Sequence, residues 1–210
     1  MATKFCQIAI AGNIGAGKTT LTQKLSKDLN IKPIFESVDD NPYLELFYSN
    51  MSRWSFNLQI FFLHKRFSNQ LDLINSKQSF VQDRSIYEDR EIFAKNLNDM
   101  KLMSNIDWDT YCNLFNDMIQ FIDHPDLIIY LKASTNTLIS RIKNRKRDFE
   151  NDISPEYIHS LNIYYDKWIS KIKDEKVLIV DSDNFNIFKD HEKYNNIKKS
   201  VLSKVPYLKI

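Results

Sequence analysis

Glycine is nearly absent from this chain, and its three copies all fall between positions 12 and 17. At ordinary composition a chain of 210 residues would carry about 15 of them. Glycine is retained where the backbone needs positive φ or must pass close to another group, so one short segment holds the strongest conformational demand. That segment, Gly12-Asn13-Ile14-Gly15-Ala16-Gly17-Lys18-Thr19, fits the phosphate-binding pattern G-x-x-x-x-G-K-[ST]. Its flanks fit as well. Phe5 to Ala11 reads as a buried strand, and Thr20 to Leu29 has helical spacing through Leu21, Leu25 and Leu29. Asn30 suits a left-handed helix cap.

Such a loop surrounds phosphate oxygens with backbone N–H groups at the positive end of a helix. Lys18 then neutralises β and γ charge, Thr19 ligates magnesium, and the ATP-binding stretch runs from Gly12 through Thr20. Glycine scarcity also removes competitors. A GTPase switch needs a D-x-x-G turn and an ABC-type ATPase a glycine-rich signature, yet no glycine follows position 17 and no N-K-x-D segment occurs. Small-molecule kinases remain the leading phosphate-loop class.

A hydrophobic content of 43% with 27% charged residues is globular, and the length fits one domain over residues 1–210. The balance of 29 Lys and Arg against 27 Asp and Glu gives no support for a nucleic-acid binder working through bulk charge. Cys6 and Cys112 neighbour no second Cys or His, and the four histidines have no ligand spacing, so neither a disulfide framework nor zinc is expected. With no visible secretory signal and no apolar run of ~18 residues, a cytoplasmic protein without a membrane partner is expected.

Strands are expected at Phe5–Ala11, Lys32–Glu36, Ser79–Gln82, Asp126–Lys132 and Lys176–Asp181. Helices are expected over Thr20–Leu29, Arg53–Asn75, Trp108–Ile122, Pro155–Ile172 and Ile187–Lys204, with a turn-rich Asp39–Tyr43 and a loop-into-helix segment at Asp83–Phe93. This alternation specifies an α/β fold, a five-stranded parallel sheet with helices on both faces. Ligands should gather at the carboxyl ends of the strands, where Gly12, Glu36 and Asp83-Arg84 stand. A carboxylate at position 36, facing the phosphate loop, can accept a hydroxyl proton. Gln59 and Arg66, seven residues apart, share one helix face, with Phe62 on the same side and Phe93 following after Asp89. Arg141 and Arg145, one turn apart, can face one triphosphate.

Several segments together resemble a known family. They are the phosphate loop, Glu36, Asn41-Pro42-Tyr43-Leu44, Phe47-Tyr48, Arg53-Trp54-Ser55-Phe56-Asn57-Leu58-Gln59, Asp83-Arg84-Ser85-Ile86-Tyr87-Glu88-Asp89-Arg90 and the basic stretch Arg141–Glu150. Over nearly the whole chain they resemble the deoxynucleoside kinases, in particular the short bacterial deoxyadenosine and deoxyguanosine kinase branch.

The resemblance implies a P-loop kinase with a short basic lid at about 141–150. It also implies ATP or another nucleoside triphosphate as donor, Mg2+, a deoxynucleoside 5′-hydroxyl as acceptor, and a homodimer. Glu36 corresponds to the family's general base and Arg84 to the arginine that orients it and contacts the 5′ oxygen. Asp83 stands where the family often has a magnesium-side Glu. Arg141, Arg145 and Arg147 correspond to lid arginines on the triphosphate. Tyr48 and Glu150 correspond to the pair on the sugar 3′-hydroxyl, and Gln59 to the reader of a base edge.

Arg66 and Asp89 correspond to the polar pair of purine and deoxycytidine kinases. A thymine would leave such a pair mismatched, at a discrimination of ~10⁴ or more, so a purine, foremost deoxyadenosine, is expected. Asp181–Phe185 falls near the donor adenine. A nucleoside monophosphate kinase of the thymidylate type and a non-catalytic nucleotide-binding regulator are the rival readings.

Overall fold

The computed structural model describes residues 5–36, 38, 40–150 and 153–208, without the side chain of Asp148. Asp39, at the start of the expected turn, lies outside the described residues. The elements in chain order are β1 (Gln7–Gly12), α1 (Lys18–Leu29), β2 (Lys32–Ile34), α2 (Leu44–Ser49), α3 (Met51–Ser76) and β3 (Phe80–Asp83). Next come α4 (Ile86–Glu88), a π-helical turn (Asp89–Ala94), α5 (Lys95–Asp99), α6 (Asn105–Met118) and β4 (Leu127–Lys132). The chain continues through α7 (Thr135–Arg145), α8 (Pro155–Ile169), β5 (Val177–Asp181) and α9 (His191–Lys204).

The five strands form one parallel sheet in the order β2-β3-β1-β4-β5. Every residue of β1 and all but the last of β4 are buried, as expected for central strands covered by helices on both faces. The edge strands β2 and β5 are partly exposed. β1 therefore sits where the chain branches to β3 on one side and β4 on the other, the crevice in which such folds bind ligands.

Helix ends follow local chemistry. Asn30 closes α1 in the left-handed conformation, with φ 50°, as its sequence position suggested. Serines 104, 134 and 154 cap α6, α7 and α8 through their side chains, each accepting an otherwise unpaired N–H. Pro155 opens α8, where its missing N–H costs nothing.

The differences from the sequence reading are local. β2 stops at Ile34, so Glu36 lies two residues beyond the strand rather than in it. The short α2 follows directly on the Pro42 turn, and its buried Leu44 and Phe47 pack it onto the core. The basic stretch is the second half of α7 and a short 3-10 turn over Asp148–Glu150.

Candidate active site

At the end of β1 the backbone passes so close to its neighbour that a Cβ on Gly12 would lie 2.9 Å from Leu131 O. Gly17, at φ 96°, turns the chain into α1 from the left-handed region, which glycine enters at little cost. Asn13 pins the loop from behind: its amide donates to Ile158 O at 2.9 Å and Asn162 Oδ1 at 2.8 Å. Lys18 is buried and donates to Asn13 O at 3.1 Å. Burial, reinforced by the charge of Arg84 and only partly offset by Asp83 and Glu36, lowers its pKa to about 8. Beside it Thr19 Oγ1 donates to Asp83 Oδ2 at 2.5 Å, while Asp83 Oδ1 is buried with no hydrogen-bond partner.

Facing the loop is a carboxylate held by two guanidiniums. Glu36 Oε1 accepts from Arg84 Nε and from Arg66 Nη2, both at 3.0 Å. Burial alone would raise this carboxyl, but Arg84, Arg66 and Lys18 outweigh it and hold the pKa at about 2. Arg66 also donates through Nε to Asp89 Oδ2 at 2.7 Å. Burial pushes Asp89 up to about 6 despite that pairing. Arg84 itself has φ 72°, a conformation costing a bulky side chain of order 1–3 kcal/mol and found mostly where the site depends on it.

These groups open into one cavity of about 450 Å³, within the usual size range of small-molecule sites. Lys18, Thr19, Glu36, Asp83 and Arg84 line its phosphate-loop end, and Gln59, Phe62, Asp89 and Phe93 its far end. Asp89 and Phe93 come from the π-helical turn, a rare geometry that recurs at functional sites. Gln59 Oε1 is buried without a partner. Tyr48, Arg145, Arg147 and Glu150 complete the lining. A phosphate-loop lysine, an arginine-held carboxylate and a partly buried aromatic wall thus share one cavity.

Comparison with known proteins agrees with that arrangement. The family model described as Deoxynucleoside kinase matches residues 8–206. This chain belongs to the deoxynucleoside kinase family. It is similar to a deoxyadenosine/deoxycytidine kinase of Bacillus subtilis, 41% identical over 93% of this chain and 91% of that one. A deoxyadenosine kinase of Dictyostelium discoideum is 46% identical over 79% of this chain and 67% of its own. A solved deoxyadenosine kinase from M. mycoides, with products dCMP and a flexible dCDP bound, superposes with a TM-score of 0.83 at 32% identity. It covers 94% of this chain and 99% of that one. The protein is a phosphotransferase with an alcohol acceptor.

Within this deoxynucleoside kinase most of the expected residues line one of two hollows; Gly12 and Asn13, at the end of β1, line neither. Ile14, Gly15, Lys18, Thr19, Glu36, Tyr48, Gln59, Phe62, Asp83, Arg84, Asp89, Phe93, Arg145, Arg147 and Glu150 line the main cavity. Ala16, Gly17, Thr20 and Arg141 line a second hollow of about 270 Å³ with Phe185 and Phe188. Arg141 donates to Ser182 Oγ at 2.9 Å. Arg141 and Arg145, expected to face one triphosphate, therefore open onto different hollows. Arg66, expected beside the base, does not line the main cavity; it lies behind Glu36 and Asp89 and braces both.

The lid residues are paired with one another. Arg145 grips Glu150 through Nε at 3.0 Å and Nη2 at 2.7 and 2.6 Å, and Arg147 approaches the same carboxylate at 3.6 Å. Tyr48 stacks on Phe149 at 5.9 Å, and burial, with Tyr157 and Glu150, keeps its phenol well above the ordinary value and protonated. Sequence reasoning missed Tyr157 and Phe47 in the lining. It also gave no role to Glu88 and Tyr165, which sit behind Arg84; Glu88 lay in a quoted motif, whereas nothing in α8 marked Tyr165.

Proposed function

We propose that this kinase transfers the γ-phosphoryl group of ATP to the 5′-hydroxyl of a purine deoxynucleoside, foremost deoxyadenosine. One observation carries the reading: Glu36, fixed by Arg84 and Arg66, closes the acceptor cavity directly against the phosphate-loop end. Glu36 Oε1 is occupied by the two arginines, which leaves Oε2 to accept the hydroxyl. With a pKa near 2 the carboxylate is always ionised and takes the proton late, once the forming O–P bond has acidified the hydroxyl. The bridging P–O bond of ATP breaks as the new one forms. Arg84 and Lys18 stay charged against the transferring group, where preorganised cations contribute most.

Thr19 Oγ1 and the unpartnered Asp83 Oδ1 suit magnesium, a hard ion held by one or two protein oxygens plus substrate phosphates. When bound it neutralises charge on the β and γ phosphates. Arg141, Phe185 and Phe188 around the second hollow suit the donor adenine. At the far end of the main cavity, the free Gln59 Oε1 and the Asp89 carboxylate are two acceptors. They favour a base presenting an amino group, and the names of the similar kinases point the same way.

A monophosphate acceptor is disfavoured because Arg66, the cation beside the acceptor carboxylates, is already committed to Glu36 and Asp89. A cytoplasmic homodimer belongs to the same proposal. Among the described residues no helix is long and apolar enough to cross a membrane, and the exposed Ile106 and Ile163 are apolar surface that a second copy would cover. The test is a phosphorylation assay with ATP, magnesium and the four natural deoxynucleosides, with monophosphates as rival acceptors. Deoxyadenosine should be used best; conversion of monophosphates alone would overturn the proposal.

A further inference from the structure

We propose that Glu88 and Tyr165 are a positioning pair that locks Arg84 and the entrance of the phosphate loop into one unit, setting turnover without touching either substrate. The inference rests on the role given to Arg84 under Proposed function. Glu88 is completely buried, and an ionised carboxylate in that position is tolerated only when charge and hydrogen bonds satisfy it. Its two oxygens have separate tasks. Oε2 accepts from Ser85 N at 2.8 Å and closes the start of α4 as a capping box. Oε1 faces the site, where it meets Tyr165 Oη at 2.8 Å, Gly12 N at 3.4 Å and Arg84 Nη1 at 3.5 Å.

A helix cap explains Oε2 and leaves Oε1 unexplained. Tyr165 supplies the explanation. Its hydroxyl accepts from Arg84 Nη1 at 2.5 Å and has one proton to share between Glu88 Oε1 and Gly12 O, each at 2.8 Å. Burial, with Glu88 beside it, keeps the phenol protonated. Its ring is stacked on Tyr130 at 5.6 Å and meets the edge of Phe93 at 6.5 Å, so the hydroxyl cannot swing away. The Arg84 guanidinium is thereby held from opposite sides, by Glu36 on Nε and by the Tyr165–Glu88 pair on Nη1, with Phe93 at 4.4 Å from its centre.

Among the described residues only Nη2 has no protein partner, and it is the donor left for a substrate oxygen. Because Glu88 Oε1 also approaches Gly12 N, the donor loop and the acceptor-side arginine share one buried anchor. Neither Glu88 nor Tyr165 is among the residues lining the substrate cavity. Positioning errors near 1 Å made at a distance can cost about 10²-fold in rate.

Tyr165→Phe removes one oxygen and keeps the stacked ring. We expect kcat to fall by about 10-fold or more with both KM values within about threefold, as loss of an interaction realised in the transition state requires. Thermal unfolding should stay close to that of the parent protein. In single-turnover experiments with labelled ATP and enzyme in excess, the same change in an Arg84→Lys background should cost nothing further. Glu88→Gln, which keeps the side chain's size, should lower kcat in the same way and serves in place of Tyr165→Phe should that variant not fold. Parental kcat in the folded variant, or an equal loss in the Arg84→Lys background, would overturn the proposal. Full activity of Arg84→Lys alone is a different failure: it would remove Arg84 from the chemistry.

Discussion

Binding of a triphosphate should draw a proton into this site. Lys18 is buried, and burial together with the charge of Arg84 lowers its pKa to about 8 in the nucleotide-free protein. A polyanion seated on the loop reverses that balance, because an opposite charge within a few ångströms favours the ammonium form, and the bound-state pKa returns to 10 or above. From a free pKa of about 8, uptake per nucleotide should be about 0.1 proton at pH 7, about 0.5 at pH 8 and about 0.9 at pH 9.

The same linkage weakens affinity as pH rises through the free pKa, by about tenfold between pH 7 and pH 9. The assay is calorimetry with a non-hydrolysable ATP analogue and magnesium, in pairs of buffers with different ionisation enthalpies. Uptake near zero at pH 8 and pH 9, or affinity flat across the range, would show that Lys18 is already charged in the empty site and refute the reasoning.

Three further outcomes follow from the same geometry. Glu36→Gln should leave ATP affinity nearly intact and lower turnover by about 10² or more, as steady-state kinetics and nucleotide titration would show; full activity would remove Glu36 from the mechanism. Asp89, with a pKa near 6, loses its negative charge as pH falls through that value. kcat/KM for deoxyadenosine should therefore decline below about pH 6, and Asp89→Asn should remove the bend in a pH profile while lowering the plateau. Gly12→Ala would bring a methyl to 2.9 Å from Leu131 O, an overpacking that costs about 1–3 kcal/mol, visible as a lower denaturant midpoint together with lost nucleotide affinity.

The parts of this architecture that were legible in the sequence are those where one residue type has few alternatives. Three glycines in six positions fixed the phosphate loop, and the uninterrupted apolar runs at Ile8 and Ile128 marked central strands. Glu36 was legible as a strand-end acid even though the strand itself ends at Ile34, because the edge position leaves only three residues paired.

What escaped was long-range pairing. Arg66 has helical spacing from Gln59 and so reads as a second base contact. Its pairing with Asp89 of the π-helical turn follows the family resemblance, but its second partner, Glu36 from the loop after β2, lies 30 residues away and carries no local signal. The start of α7 is written in its Ser134 cap and its period in the spacing of Leu138 and Ile142, beneath a cluster of basic residues that has no apolar alternation of its own. Tyr165 reads as core, which it is; only the fold brings its hydroxyl to Arg84.

Charge in the site also argues for how the donor must be met. In the cavity wall and directly behind it, Lys18, Arg66 and Arg84 stand among four carboxylates, Glu36, Asp83, Glu88 and Asp89. This buried cluster has no surplus of positive charge with which to receive a triphosphate. The missing charge has two sources in this chain: the proposed magnesium at Thr19 and Asp83, and the arginines of the lid. Of the latter, Arg145 holds Glu150 through one edge of its guanidinium, Nε and Nη2. Its Nη1 edge makes no bond to that carboxylate, the one the family resemblance pairs with the sugar 3′-hydroxyl.

On that correspondence, binding of the nucleoside and the placing of Arg145 would be linked through Glu150. Glu150→Gln, which frees Arg145 but weakens the sugar contact, should raise KM for the deoxynucleoside while leaving or tightening KM for ATP. Initial-rate kinetics with both substrates varied would show it. A parallel rise in both values would mean that the Arg145–Glu150 pair persists through turnover as a structural clasp.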